Sequence, residues 1–491
     1  MFKKHADTQL IFGIRSLTIL AVLIHLGMTQ EVFPGYTLFN PTGPQDDDLF
    51  ETYLIDTDEQ VINIWQHVNP PHLNPYLLPD STLLYPNKIP NPIFGYLGGG
   101  GSIQRLAWDG TVLWEIQLAD ETTMQHHDAH YMPNGNILAI CWDRHTAEEG
   151  YALGREVIEN AISEMWSVKI IEIEPIGADS SNIVWEWRMW DHLVQDVDPE
   201  LPNYGIISEH PELLNINYGE VGIELGPANA DWHHTNAIDY NEELDQIVIS
   251  CRKFSEVYII DHSTTTAEAA SHSGGNSGRG GDFLYRWGNP TVYHRGTQDD
   301  RLLFLQHGVN WVDEGILGAG NLLIFNNGRA NGVSAVFEIN PPLLESGLYS
   351  IDDELPFGPS EPFWEYSEDI YSPTQSGVYR LPNGNTLITV SYQLRIVEIS
   401  PEEEVLWDYQ WPEYAVHLAR ALKYPLDYLE SSPPFLLGDL TGDQAVNIHD
   451  VVELVSVIIN MSDYTPAGDL DENGAINVQD VVILVEMILQ E

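Results

Sequence analysis

Apolar and polar positions alternate along most of the chain, in short runs that turn residues interrupt. Two clear examples are HYMPNGNILAI, residues 130–140, and YRLPNGNTLITV, residues 379–390. In both, the Asn-Gly pair supplies the positive φ that a tight hairpin turn requires. Alternation with a period of two is typical of half-buried β-strands. The pattern therefore predicts an all-β domain built from consecutive hairpins.

Six strand-like segments share an aromatic ending built around one tryptophan. They are NIWQ, VLWE, VWEW, YRWG, FWEY and VLWDY, marked by Trp65, Trp114, Trp185, Trp287, Trp364 and Trp407. Their spacing varies from about 40 to about 100 residues, which a propeller with insertions accommodates better than a solenoid does. We therefore expect a six-bladed β-propeller over residues 31–430.

Two insertions interrupt the strand pattern. Residues 145–166 have a helix-like pattern, and residues 263–281 form a loop rich in Ser, Thr, Gly and His. We expect the second insertion to be mobile and to overhang a binding site. After Leu429 the proline-containing segment SSPPF begins a linker, residues 431–437, which separates the propeller from a different domain.

The C-terminal residues 438–491 contain two acidic loops thirty residues apart, DLTGDQAVNIHD and DLDENGAINVQD, each followed by an apolar helical pattern. Oxygen-bearing side chains at loop positions 1, 3, 5, 9 and 12 suit Ca²⁺. This pattern resembles the type I dockerin, a small α-helical calcium-binding domain, and the resemblance implies a cohesin domain as partner. The alternative to a cohesin partner is a cell-surface sorting partner. The alternative to calcium binding is that the two loops are only acidic turns before helices. The matched ligands are Asp439, Thr441, Asp443, Asn447 and Asp450, then Asp469, Asp471, Asn473, Asn477 and Asp480.

The first calcium loop departs from the pattern at two positions. Gln444 stands where the turn normally has glycine, and Thr441 is a weaker ligand than Asp or Asn. We expect the first loop to bind Ca²⁺ less tightly than the second.

The charge of the chain excludes several partners. Its 74 acidic and 20 basic residues give a formal net charge of −54, which argues against binding nucleic acid or an anionic membrane surface. The N-terminus has basic residues before a short apolar run, residues 17–28. This predicts a signal peptide over residues 1–30, although a signal anchor is the alternative. We expect a secreted, periplasmic or cell-surface protein with no membrane attachment after cleavage. Cys141 and Cys251 imply no disulfide framework, and whether they pair stays open.

Three strand segments carry candidate histidines: QHHDAHYMPNGN, DWHHTNAIDY and LQHGVNW. The innermost strands of successive propeller blades converge on the central channel, so these histidines can meet there. Together with NNGR at residues 326–329 and YSPTQSGVYRL at residues 371–381, these segments resemble the bacterial arylsulfotransferase family over roughly residues 98–425.

The resemblance implies an active site. The family's nucleophilic histidine falls on His307, and its other active-site residues fall on His127, His234 and Arg252, eighteen residues after His234. Arg420 is a weaker candidate for substrate binding or blade closure. The implied activity moves a sulfuryl group from an aryl sulfate to a phenolic acceptor by a ping-pong mechanism through a sulfohistidine, with no cofactor in the propeller. The family's N-terminal β-sandwich domain has no counterpart among the sixty or so residues before the blades.

The chemistry of these residue types agrees with that activity. Sulfuryl transfer needs an uncharged nucleophile near neutral pH, which histidine supplies. A guanidinium is always protonated and forked, so Arg252 suits two sulfuryl oxygens, while His127 and His234 can donate hydrogen bonds.

Two other functions remain open at this point. One is a non-catalytic propeller that binds a glycan or a protein and is displayed through the C-terminal module. The other is a metal-dependent propeller hydrolase that uses the cluster HHDAH, residues 126–130, in which His130 has no assigned role.

Overall fold

The computed structural model describes residues 31–42, 50–94, 98–177, 180–222, 229–329, 333–352, 354–413 and 415–429 of the propeller region. In the C-terminal region it describes residues 438, 440–441, 446–460, 468, 470 and 476–490. The predicted signal peptide and linker lie outside these residues. Six four-stranded antiparallel sheets follow one another in the described part of the chain, so the prediction of a six-bladed β-propeller is confirmed.

The first half of the propeller contains blades 1 to 3. The first four strands are β1 (Gly35–Phe39), β2 (Pro41–Thr42), β3 (Phe50–Ile55) and β4 (Val61–His67). Blade 2 consists of β5 (Tyr76–Leu77), β6 (Leu83–Lys88), β7 (Gly101–Leu106) and β8 (Val112–Gln117). Blade 3 consists of β9 (Thr123–Tyr131), β10 (Ile137–Thr146), β11 (Glu164–Ile176) and β12 (Ser180–Arg188).

The second half contains blades 4 to 6, after a short parallel pair, β13 (Leu193–Val194) and β14 (Leu214–Asn215). Blade 4 consists of β15 (Thr235–Asn241), β16 (Gln246–Cys251), β17 (Glu256–Asp261) and β18 (Tyr285–Trp287). Blade 5 consists of β19 (His307–Trp311), β20 (Leu322–Arg329), β21 (Val333–Ile339) and β22 (Trp364–Tyr366). Blade 6 consists of β23 (Gly377–Arg380), β24 (Thr386–Val390), β25 (Arg395–Ile399) and β26 (Val405–Gln410). The last strands are β27 (His417–Leu418) and β28 (Leu422–Pro425).

The two ends of the propeller close the ring within blade 1. Strand β28 pairs with β1 in an antiparallel register that runs from Gly35 opposite Pro425 to Leu38 opposite Leu422. The sheet order of blade 1 is therefore β28-β1-β3-β4, with the innermost strand supplied by the end of the propeller sequence. Strands β2 and β27 pair beside it.

A buried carboxylate holds both ends of the ring together. Glu398 in β25 has no solvent exposure. It accepts hydrogen bonds from the Phe33 backbone N–H, from Lys423 Nζ in β28 and from Asn385 Nδ2, each at 2.6 Å. We call Glu398, Phe33 and Lys423 the closure clasp.

The six marker tryptophans all lie in the outermost strand of a blade, one in each. Five of the indole N–H groups donate to the following blade, at or before the start of its fourth strand. These bonds run from Trp65 to Ala107, from Trp114 to Ser180, from Trp185 to Thr264, from Trp287 to Pro359 and from Trp364 to Glu403. The ring of Trp407 instead packs under Lys423, with Nζ 5.0 Å from the ring centroid. The sequence repeat therefore marks the contacts between neighbouring blades.

Both insertions differ from their predictions. The first contains only a short helix, α1 (Ala147–Ala152), which begins with a capping box between Thr146 and Glu149. Most of the remaining stretch consists of turns and irregular coil that end where β11 begins. The second contains the one-turn helix α2 (Thr266–Ala269). It lies against the outermost strand of blade 3, where Trp187 Nε1 donates to the Gly281 carbonyl at 2.7 Å. The expected overhang of the site is therefore wrong, because indole hydrogen bonds fix this insertion at the rim.

The C-terminal module contains two helices, α3 (Ile448–Asn460) and α4 (Val478–Gln490). They share a small core formed by Leu454, Leu470 and Leu484. Among the described residues, no helix combines the length and the apolar character that a membrane crossing needs.

We predict that Lys423→Met weakens the closure clasp. The substitution leaves the Glu398 carboxylate buried without its cation, so the free energy of unfolding should fall by about 3–5 kcal/mol. Urea unfolding followed by tryptophan fluorescence measures the change, because all 14 tryptophans lie between residues 65 and 411. Arg395→Met is the matched control: its partner Asp408 is 46% exposed, so its loss should stay below about 1 kcal/mol. Equal losses of unfolding free energy in the two variants would contradict the role of the closure clasp.

Candidate active site

Three neighbouring innermost strands bring the predicted histidines together. His127 lies in β9, His234 comes directly before β15, and His307 is the first residue of β19. All three side chains are buried. His127 Nε2 lies 3.1 Å from His234 Nε2, and the electrostatic influence of His234 extends to His307. Residues that are far apart in sequence therefore share one site at the channel.

The backbone turns locally to aim two of these imidazoles. His127 has a φ of 55° and His234 a φ of 52°, in the left-handed region that non-glycine residues rarely occupy. The strand register also shifts beside each histidine, at Ala139/Cys141, Thr235/Ala237 and His307/Val309. Such bulges change the direction of a side chain in a sheet and are frequent next to active sites.

Close packing fixes the ring of His127. A Cβ on Gly98 would lie 2.6 Å from His127 Cε1, at a glycine φ of 106°. On the other side, the backbone N–H of His127 donates to His72 Nε2. Any larger residue at position 98 would therefore displace the imidazole.

The hydrogen bonds of Asn327 determine the tautomer of His307. Asn327 Nδ2 donates to the carbonyls of Ser372 and Gln375, both at 2.9 Å, so its Oδ1 faces His307. That oxygen lies 2.7 Å from His307 Nδ1 and can only accept. His307 therefore carries its proton on Nδ1, and its Nε2 has a free lone pair.

His307 is neutral as well as oriented. Burial lowers the pKa of His307 well below its ordinary value, and the positive charge of Arg252 lowers the pKa further, against the opposing effect of the Asn327 hydrogen bond. The imidazole is therefore unprotonated at Nε2 at neutral pH, which is the state that a nucleophile requires.

The other two histidines belong to a chain of hydrogen bonds that ends on a carboxylate. His126 Nδ1 lies 2.9 Å from His127 Nδ1, and His234 Nδ1 lies 2.6 Å from Asp231 Oδ2. The ionised Asp231 can only accept, so His234 donates from Nδ1. With neutral rings, His127 then donates from Nε2 to His234, and His126 donates to His127. The arrangement connects four ionisable groups in one line along which a proton can move.

Asp231 is the fixed acceptor at the end of this chain. Burial alone would raise its pKa, but the close contact and hydrogen bond with His234 hold the pKa of Asp231 well below its usual range. Trp142 Nε1 and the backbone N–H of His234 also donate to this carboxylate, each at 3.1 Å. Burial, followed by the charges of neighbouring histidines, lowers the pKa of His127 well below its ordinary value.

The two arginines occupy different positions. Arg252 is the first residue of the turn after β16, not part of the strand itself, and its backbone N–H donates to the His234 carbonyl at 3.2 Å. Arg420 is buried before β28, where it donates to Asp128 Oδ2 at 2.8 Å and to the Tyr76 hydroxyl at 2.9 Å. Arg420 also lines a small pocket next to His307. Its assignment to substrate binding stays a prediction.

The side chains of HHDAH do not converge as metal ligands. Asp128 is occupied by Arg420, His126 Nδ1 faces His127, and His130 Nδ1 lies 3.1 Å from Asp239. Among the residues that the structure describes, no cluster of three metal-ligating side chains includes any of them.

Sequence reasoning missed three neighbours of the predicted site. Asp231 and Asn327 both lie inside segments that carried the family resemblance, DWHHTNAIDY and NNGR, so their motifs were visible although their roles were not. His72 lies outside every motif, and nothing in the sequence near it indicates contact with His127.

The predicted calcium loops are described only in part. Asp439, Asp443, Asp469, Asp471 and Asn473 lie outside the described residues. Asp450 accepts hydrogen bonds from the backbone of Leu440, Thr441 and Asn447 at 2.8–2.9 Å. In the second loop, Asp480 accepts from Leu470 and Asn477 in the same way. The position-12 carboxylates thus have matching environments in both repeats.

The fold and the site define a six-bladed propeller with a histidine cluster at its central channel. Residues 96–417 match the family model described as Arylsulfotransferase (ASST), which is more than half of the chain. The chain belongs to the arylsulfotransferase family.

Comparison with solved structures adds no functional argument. A protein of unknown function from Bacteroides caccae is 12% identical, with a TM-score of 0.43, covering 79% of this chain and 98% of its own. The periplasmic gluconolactonase of Pseudomonas aeruginosa is also 12% identical, with a TM-score of 0.40 and coverage of 79% and 99%. Virginiamycin B lyase from Staphylococcus aureus is 11% identical, with a TM-score of 0.35 and coverage of 78% and 87%. No curated protein matches the sequence significantly.

We predict that His307 is neutral, with its proton on Nδ1, at neutral pH. The buried site disfavours the cation, so its pKa lies well below the ordinary value of a histidine. Long-range ¹H–¹⁵N spectra of histidine-labelled protein report both the tautomer and the titration, and loss of the signals in His307→Gln assigns them. Arg252→Gln should raise the pKa of His307, because it removes a nearby positive charge. A wild-type midpoint near the ordinary value of about 6.5 would contradict this assignment.

Proposed function

We propose that the propeller is an aryl-sulfate sulfotransferase that moves a sulfuryl group from an aryl sulfate donor to a phenolic acceptor. The observation that carries this proposal is the state of His307, which is neutral, buried and held by Asn327 with Nε2 as its free lone pair. The membership of the chain in the arylsulfotransferase family supports the same activity.

The proposed reaction has two steps. In the first, the His307 Nε2 lone pair attacks sulfur, the bond between sulfur and the aryl oxygen breaks, and the phenolate leaves with the bonding electrons. In the second, the oxygen of an acceptor phenol attacks the sulfohistidine, loses its proton, and the bond between sulfur and Nε2 breaks. His307 returns to its starting state without a cofactor, as a ping-pong mechanism requires.

The surrounding groups have separate tasks in this proposal. Arg252 neutralises the sulfuryl oxygens, because a forked guanidinium can donate to two of them. His127 leaves its contact with His234 to donate its Nε2 proton to the departing phenolate. His234, whose own proton is held by Asp231, orients that donor. The chain from His126 to Asp231 supplies the proton and takes one back from the acceptor. Arg420, fixed by Asp128, borders the small pocket beside His307.

We predict graded losses of activity from substitutions at the site. His307→Ala should abolish both donor cleavage and covalent labelling, because it removes the nucleophile. His127→Asn, His234→Asn and Arg252→Leu should each lower turnover about a hundredfold or more, as expected when a positioned transition-state donor, or the residue that orients it, is lost. The release of nitrophenolate from p-nitrophenyl sulfate, with and without phenol, measures each variant.

His130→Asn is the matched control for these variants. It lies in the same strand as His127, but its ring contacts Asp239, so the transferase should retain nearly full activity. Release of nitrophenolate without acceptor would favour a hydrolase. Loss of activity on chelation, together with inactive His130→Asn, would favour the metal-dependent hydrolase. No release from the wild-type chain would favour a non-catalytic binding propeller.

We further propose that the C-terminal module is a calcium-binding dockerin-like domain that docks the exported enzyme to a cohesin domain or a cell-surface sorting partner. Matching hydrogen bonds of Asp450 and Asp480 support a duplicated calcium site. Each helix also exposes an apolar stripe at corresponding positions. These residues are Ile448, Val452 and Val455 in α3, and Val478, Val482 and Val485 in α4.

We predict that calcium increases the order of the C-terminal module. Circular dichroism should show more helix in the calcium-loaded chain than in the chelated chain, because a bound ion neutralises loop carboxylates that otherwise repel one another. Asp450→Ala and Asp480→Ala should each remove one binding step from a calcium titration. Identical spectra with and without calcium would count against the metal, and the sulfotransferase assay should be unaffected in either variant.

A further inference from the structure

Three titratable side chains converge at the rim of blade 3, away from the channel. His192 follows β12, His272 lies in the middle of the second insertion, and Asp282 comes directly after that insertion. His192 Nδ1 and His272 Nδ1 lie 2.8 and 2.7 Å from the same oxygen, Asp282 Oδ1. Among the described residues, these three are the group whose metal-ligating atoms all lie within 4.8 Å of one another. We call them the rim cluster.

The contacts of His192 restrict where its protons can lie. Its Nε2 lies 2.8 Å from the Ala269 carbonyl oxygen, which only accepts, so Nε2 carries a proton. In a neutral ring, Nδ1 would then present a lone pair to the carboxylate oxygen of Asp282. Both side chains are almost completely buried. The contact is therefore favourable only if a proton or another cation lies between the two atoms.

The surroundings of His192 match those of a metal ligand. A histidine that binds a metal through one nitrogen commonly donates its other N–H to a backbone carbonyl, which fixes the ring. Two imidazole nitrogens and one carboxylate oxygen form a suitable set for Zn²⁺, with water in the fourth position. His272 has 61% of its side chain exposed, so an ion can enter from solvent.

We propose that the rim cluster binds one divalent transition-metal ion of the zinc class. The ion bonds to His192 Nδ1, His272 Nδ1 and Asp282 Oδ1, and the imidazole protons that now face the carboxylate leave to solvent. With metal–ligand bonds of about 2.0 Å, tetrahedral ligands lie about 3.3 Å apart. The exposed His272 can supply most of this small adjustment. The formal net charge of −54 also favours cations near the protein surface.

The function of this ion is to fasten the second insertion to blade 3. The insertion is already held by the bonds of Trp185 to Thr264 and of Trp187 to Gly281. The rim cluster adds a third attachment, between His192 at the end of the blade and His272 near the tip of the loop. Because the ion lies outside the channel, its effect is on the stability of the insertion and not on sulfuryl transfer.

Zinc binding is tested on the full mature chain after removal of any affinity tag. The chain is stripped with a chelator, saturated with calcium and titrated with Zn²⁺, and bound metal is counted by mass spectrometry after gel filtration. We expect one tightly bound zinc per chain. His272→Ala removes an exposed ligand without disturbing the core, and it should weaken zinc binding at least about a hundredfold.

A matched control separates the rim cluster from ordinary histidine and carboxylate pairs. His210 is also partly exposed, and its Nδ1 lies 3.0 Å from Glu212 Oε1. His210→Ala should leave the zinc content unchanged. Zinc that persists in His272→Ala at the wild-type affinity would instead belong to another site and would overturn the proposal.

Limited trypsin digestion gives a second readout that is independent of activity. Arg279 is an exposed cleavage site between His272 and Asp282. Zinc should slow cleavage at Arg279 in the wild type and in His210→Ala, but not in His272→Ala. Absence of zinc binding and of protection in the wild type would identify the rim cluster as a buried imidazolium–carboxylate pair.

Discussion

The pairing of β28 with β1 is the constraint on which the rest of the propeller depends. It joins strands that are almost four hundred residues apart, and the buried Glu398 binds the backbone of one end and the lysine of the other. Without this closure, blade 1 would lack its innermost strand, and Arg420 would lose the segment that brings it to Asp128. The channel, and therefore the site, exists only because the ring is complete.

Within the closed ring, the proton positions of the predicted histidines are set by the residues that hydrogen-bond to them. Asn327 determines which nitrogen of His307 is free, and Asp231 determines the direction in which His234 donates. Both partners are fixed by further hydrogen bonds, to Ser372 and Gln375 in one case and to Trp142 in the other. The neutral histidine and the ionised carboxylate are therefore properties of the whole network.

The sequence predicted the repeated blades better than it predicted the hydrogen-bond network around the site histidines. The six tryptophan segments indicated the correct number of blades, because each tryptophan lies in the outermost strand of its blade and five of the six donate to the next blade. Motif order placed His127 and His234 together at the channel, with Arg252 close enough to influence His307. The contact of His72 with His127 and the attachment of the second insertion could not be predicted, because they join segments that share no periodicity. The local sequence pattern predicts the strands. The contacts between distant segments depend on how the blades pack against one another.

The left-handed backbone at His127 and His234 has a consequence for how the site tolerates mutation. Non-glycine residues rarely adopt that conformation, and it persists only where the surrounding structure enforces it. The surrounding blades therefore hold both imidazoles in alignment. Mutations that loosen the packing of the blades would disturb the positions of the imidazoles even when every histidine of the site is retained. The core residues of the blades therefore help to set the positions of the site histidines.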